Sequence, residues 1–190
     1  MTLPLRGIQI VDFTQVQAYQ NKSPVSPSLA EHAGRGGIML RKLMNTQNEY
    51  SVALARIAFG VVFFAHGAQK MLGWFGGSGF SETISGFAKF GMPTAVALFA
   101  IFVEFFGSLS LLLGLLSRVA ALAIIIEMIG AVLTVHIHNG FFMNWMGNQK
   151  GEGFEYHIIA VTLAFLILVQ GAGAVSIDHL VSSRDSSRNG

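Results

Sequence analysis

Cysteine is absent from this chain. That excludes disulfides, thiolate metal sites, cysteine-ligated iron–sulfur clusters and any CxxC relay, so redox chemistry would have to run through a bound cofactor, a quinone or a partner. Charge is scarce as well. Only 12% of the residues are Asp, Glu, Lys or Arg, whereas soluble domains carry about 25%. A net charge of +2, with no dense basic patch interleaved with stacking residues, argues against a nucleic-acid partner. There is no P-loop and no GxSxG, and the glycine-rich GWFGGSGF at 73–80 follows an apolar run rather than a strand, so it is not a dinucleotide fingerprint.

What the chain has instead is oil: 52% of its residues are hydrophobic and the mean hydropathy is +0.56. Four apolar runs follow one another at 52–69, 94–116, 119–135 and 158–177, holding only Arg56, Glu104 and Glu127 as charges. Each is near the roughly 20 residues that cross about 30 Å of hydrocarbon as a helix, and only helices or closed barrels satisfy their backbone in lipid. The expected fold is therefore all-α: an integral-membrane, four-helix up-down bundle with helices at about 50–70, 94–116, 119–138 and 157–177. A soluble helical bundle is disfavoured because the last run has no polar face. Gly60, Gly67, Gly107, Ser110 and Gly114 offer small-residue faces for close helix packing.

Basic residues set the orientation. Arg35, Arg41, Lys42, Arg118, Arg184 and Arg188 flank one side of the bundle and Lys70, Lys89 and Lys150 the other. The positive-inside rule then predicts a multi-pass protein of the cell inner (cytoplasmic) membrane with both termini cytoplasmic and two long loops, 71–93 and 140–156, facing outward. Within the first loop SETISGFAKF predicts a short interfacial helix capped by Ser81, with Trp and Phe residues as headgroup anchors.

Two groups of residues carry the functional expectations. Charges inside lipid cost about 2.5–3.5 kcal/mol each on insertion scales, so Glu104, Glu127 and Arg56 are expected to meet in a buried polar network, either as a lock for the bundle or as a proton path. On the third helix Ala120, Ala123, Glu127, Ala131, Thr134 and His138 share one face at the helical period, placing His136 on the opposite side toward lipid headgroups or another protomer. The second group gathers at the outward ends: His66, Lys70, His138, Asn144, Trp145, Glu152 and His157, around the segment HIHNGFFMNWMGNQKGEGFEYH at 136–157. Histidine beside carboxylate can shuttle protons or bind metal, but no HxxxH or HExxH pair occurs on one helix, so no metal is assigned. A site for a small anion or a quinone head group is the expectation.

From about 39 to 181 the chain resembles the DoxX family of small bacterial membrane proteins, on the strength of RIAFGVVFFAHGAQKMLGWFGG, VEFFGSLSLLLGLLSRVAA and HNGFFMNWMGNQKGEGFEYHI. The family pattern falls on Arg56, Gly60, His66, Gly67, Lys70, Glu104, Gly107, Gly114 and Arg118, then on Asn139, Gly140, Asn144, Trp145, Gly151, Glu152 and His157. Ser108 and Ser110 stand where many relatives carry glycine or another small residue. The resemblance implies a four-helix membrane domain at 39–181 and membership of a group that includes the membrane subunit of a thiosulfate:quinone oxidoreductase. On that basis the expected function is a membrane subunit of an oxidoreductase system that binds a quinone or a sulfur oxyanion at its outer face, with no intrinsic cofactor. Its partners would be the lipid bilayer, a peripheral or membrane oxidoreductase subunit and a second copy of itself. A non-catalytic anchor or assembly protein, and a small-molecule transporter, are the competing readings.

The ends of the chain are read separately. MTLPLRGIQIVDFTQVQA at 1–18 resembles the opening strand and turn of class III CoA-transferases, but nothing downstream supplies the rest of such an enzyme. Residues 1–38 are therefore expected to be a disordered or irregular extension, a fusion or a mis-called start, and 182–190 a polar tail.

Overall fold

A computed structural model of the protein describes Thr46 and residues 49–186, all within the compact unit Ile38–Gly190. The CoA-transferase-like start, the expected extension at 1–38 and the last four residues lie outside the described residues. Those described are helical with no strand. Helix α1 is Tyr50–Leu72, α2 is Gly79–Lys89, α3 is Thr94–Leu113, α4 is Ser117–Thr134, α5 is Glu155–Gln170 and α6 is Ile177–Ser186. By length and composition α1, α3 and α4 are each able to cross a membrane, while α5 is apolar but only 16 residues long. Helices α1, α3, α4 and α5 run alternately up and down. Helix α2 is the amphipathic helix expected in the first loop, starting three residues earlier with Ser78 rather than Ser81 in the N-cap position.

The bundle is apolar inside and outside. Phe59, Phe63, Leu111, Ile124 and Ile167 fill the core, and Ala121, Ala160 and Ala164 let α4 and α5 pack closely. Leu54, Val61, Leu122, Ile129, Ile159, Phe165 and Val169 point outward from the same helices. A soluble fold would leave these large side chains in water; a bilayer covers them.

Two helix ends differ most from the sequence expectation. Helix α4 stops at Thr134, four residues before the expected end, and His136–Asn139 form a separate 3-10 turn. Val135 between them leaves helical geometry (φ −124°, ψ −57°), which fits the β-branched and Asn-Gly residues around it. Helix α5 stops at Gln170 rather than 177: Gly171 and Gly173 take positive φ, and the chain turns across the end of the bundle as a strap, 171–176, before α6 begins. Helix α6 then continues through Ser186 into the expected tail.

The strap explains Arg56, and corrects its expected role. Arg56 is fully buried. Its Nε donates to the Ala172 carbonyl at 2.7 Å, its Nη1 to the carbonyls of Leu111 and Leu112, and its Nη2 to those of Ala174 and Val175. All five guanidinium N–H groups are thus spent on backbone oxygens, two of them carbonyls in the last turn of α3. No donor remains for Glu104 or Glu127. The carboxylate beside this knot is Asp178, which accepts from the Leu116 and Ser117 amides at 2.8 and 3.0 Å and so caps the start of α4, while its own N–H donates to Gly114. Arg118 completes this end by donating to the Leu168 and Val169 carbonyls in the last turn of α5. Arg56 ties helices together here; it is not part of the intramembrane carboxylate network.

Candidate functional site

At the opposite end, helix geometry gathers the polar groups. Gly67 lies so close to α3 that a Cβ built on it would sit 2.6 Å from backbone atoms of Glu104 and Phe105. Facing it, α3 widens into a π turn at Val103–Gly107, a distortion that often marks functional positions in helices. The contact sets Glu104 beside Lys70, one turn beyond Gly67, and the two side chains form a salt bridge. Glu127 from α4 lies within reach of the same pair, with Glu104 and Lys70 as its charged neighbours. The cation beside the two glutamates is Lys70 rather than Arg56.

Glycine also allows the outer loop to fold back over this end. Gly153 approaches the carbonyls of Gly140 and Phe141 so closely that a side chain would collide with them, and Phe154 and Glu155 donate to those same two carbonyls. The loop is held by its carboxylates. Glu155 accepts from the Met143 amide at 2.9 Å and from the Trp145 indole at 3.3 Å, and Glu152 accepts from the Asn144 amide at 2.6 Å. The 3-10 turn swings His136 inward, where its ring lies 4.2 Å from that of His157. His136 Nδ1 is 2.8 Å from the Glu152 carbonyl; that oxygen can only accept, so Nδ1 carries the proton.

Between these elements lies a cavity of about 620 Å³, within the ordinary range for small-ligand sites. Its walls are largely apolar: Phe63 from α1, Phe87 from α2, Val96 and Phe99 from α3, Ile126 and Ala131 from α4, and Met92 and Met143 from the loops. The polar groups are His66, Lys70, Glu104, Glu127, Thr134, His136, Glu152, Tyr156 and His157. Three of them present a buried atom with no hydrogen-bond partner among the described residues: Glu127 Oε2, Tyr156 Oη and His157 Nδ1. Burying such an atom without a partner costs about 1–3 kcal/mol. Glu127 and His157 are 8% and 6% exposed, so ordinary solvent contact does not account for them.

The structure therefore brings together His66, Lys70, Glu104, Glu127, Glu152 and His157 among the residues expected from the sequence, and leaves out four. Arg56 belongs to the far end. His138 is exposed on the 3-10 turn and does not line the cavity, because α4 ends before reaching it. Asn144 and Trp145 also stand outside and act on the loop through Glu152 and Glu155. His136, expected on the lipid side, lines the cavity. Tyr156 escaped notice altogether; its adjacency to His157 in the first turn of α5 was the available signal. Among the described residues no cluster of three or more His or carboxylate side chains is arranged to hold a metal.

Residues 51–137 match the DoxX family model. They form a DoxX domain. The match covers α1 to α4 and ends before α5, whereas the sequence resemblance extends to 181. Relatives span more of the chain. A Bacillus subtilis protein named "Putative oxidoreductase CatD" is 28% identical over 138 residues, 73% of this chain and 92% of its own. "Uncharacterized membrane protein Rv3486" of Mycobacterium tuberculosis is 27% identical over 75% of this chain and 88% of its own, and "Inner membrane protein YphA" of Escherichia coli is 28% identical over 66% and 86%. No solved structure matches. The segment that matches the DoxX model supplies every wall of the cavity except those from α5 and the loop before it.

Proposed function

We propose that this protein is the membrane subunit of an oxidoreductase system and that its cavity takes a quinone head group. The observation that carries the reading is the pairing of apolar walls with three unpartnered buried polar atoms, Glu127 Oε2, Tyr156 Oη and His157 Nδ1. A quinone ring is flat and lipophilic, with two carbonyl oxygens that accept from hydroxyl or imidazole N–H groups and gain protons on reduction. Tyr156 and His157 suit the first need, and the Glu104–Glu127 pair suits the second. A sulfur oxyanion is the weaker fit. Lys70 is already neutralised by Glu104, and Glu127 and Glu152 face the same space, so an anion would meet more carboxylate than free cation.

In the cell the protein would sit in the inner membrane with the Arg56 end cytoplasmic and the cavity outward, as the distribution of basic residues favours. The relative named as an inner membrane protein fits this placement. A docking role has its own support in the exposed Phe142, Trp145 and Met146 of the outer loop; under that reading an enzyme partner is captured there while the cavity stays empty.

The test is direct binding. Protein in lipid nanodiscs should retain decylubiquinone through repurification. Replacing His157→Phe, which keeps the ring volume but removes both nitrogens, should weaken binding about tenfold, the equivalent of one hydrogen bond in a dry site. Absence of binding by the native protein, or equal binding by His157→Phe, would overturn the proposal.

A further inference from the structure

The cavity is not sealed on all sides. Helices α3 and α4 meet at the π turn and below it, but α4 does not pack substantially against Thr94–Phe102, the part of α3 nearer the Lys70 end. The two helices part there. The residues on either side of the gap line the cavity and yet are open to the exterior: Val96 and Phe99 on α3 are 43% and 41% exposed, and Ile126 on α4 is 56% exposed. Gly130 stands at the rim on α4, where a Cβ would meet nothing within 4 Å. At this depth the exterior is hydrocarbon rather than water, since Leu122, Ile129 and Leu133 flank the opening on the outer face of α4.

We infer that the ligand enters sideways from the bilayer through the cleft between α3 and α4, and that it carries a hydrocarbon tail which stays in the cleft and the lipid beyond while the head group reaches Glu127, Tyr156 and His157. This rests on the ligand reading above and narrows it. A water-soluble molecule would need a mouth lined by polar groups, whereas the rim here is Val96, Phe99, Ile126 and Gly130. A tail laid along that rim packs against apolar side chains on both helices, a van der Waals contact rather than a transfer out of water, and it fixes which way the head group points.

The cleft can be plugged without disturbing the core, because Gly130 faces open space. Gly130→Trp should place an indole across the gap, with Phe165→Trp, an outward position on α5 that does not line the cavity, as the control. Binding of decylubiquinone is compared in nanodiscs with binding of the same dimethoxy-methyl-benzoquinone ring without its tail. The expected result is a loss of about tenfold or more in decylubiquinone affinity for Gly130→Trp, with the tail-less ring within about twofold of native and Phe165→Trp unchanged for both. If Gly130→Trp binds both probes as the native protein does, or loses both equally, the lateral route is wrong while the head-group site stands. Should the native protein bind neither probe, the quinone reading itself fails and the route with it. Native mass spectrometry of the same samples reports on the other occupant of such a cleft: a dimer that Gly130→Trp dissociates would show that a second copy fills it, and would also overturn the inference.

Discussion

Two cations, Arg56 and Lys70, sit on one helix and do different work, and the difference lies in what their donors meet. Arg56 gives all five N–H groups to carbonyl oxygens of α3 and the strap, so it acts as a cap supplied from a neighbouring helix. Replacing Arg56→Ala strands those oxygens in a buried end, and is expected to lower stability by about 3–5 kcal/mol. Thermal unfolding in nanodiscs checks this. Lysine at the same position should rescue only part of the loss, since a point charge cannot span five acceptors. A melting point unchanged by Arg56→Ala would refute the cap. The sequence marked Arg56 as a charge needing an explanation but suggested the wrong partner, because a carboxylate is the obvious mate for a guanidinium and backbone carbonyls leave no trace in composition. Asp178 was invisible for the same reason: it lay just past the assumed end of a span, beside the glycines that in fact end it.

At the scale of an element, the site depends on one absent methyl. The backbone of α1 touches α3 at Gly67, α3 accommodates Glu104 in its π turn, and Lys70 meets Glu104 as a result. Gly67→Ala must push the two helices apart. An overpacked contact of this kind costs about 1–3 kcal/mol, and the displaced pair should weaken quinone retention as well. Gly130→Ala, the same chemical change on α4 with nothing within 4 Å, should leave both the melting temperature and ligand binding close to native; equal effects at the two positions would contradict the packing account. Apolar run length read most of the elements correctly, since lipid leaves a spanning chain no alternative to the helix. It misjudged where helices stop. Running α4 on to 138 turned His136 outward and His138 inward, the reverse of what the 3-10 turn does. Periodicity assigns faces only as far as the helix extends, and the Val135 kink falls between the glutamate and the histidines it was used to align.

The whole molecule has a tied end and an open one. Arg56, Asp178 and Arg118 bind helix termini together at the first, while the second holds the cavity, the loop and the cleft. Orientation in the membrane is open to a simple test because the chain lacks cysteine: each introduced thiol is the sole target of a label. A membrane-impermeant maleimide applied to spheroplasts should modify Met146→Cys on the outer loop and spare Val181→Cys on α6, both exposed side chains. The opposite pattern would invert the assignment. The strap also has a consequence for how the protein is made. Arg56 bonds to carbonyls 116 and 118 residues further along, and at a synthesis rate of about 5–20 residues per second that separation is on the order of ten seconds. A nascent chain must therefore carry this guanidinium through insertion well before its permanent acceptors exist, and the bundle can latch only once the ribosome has delivered the strap.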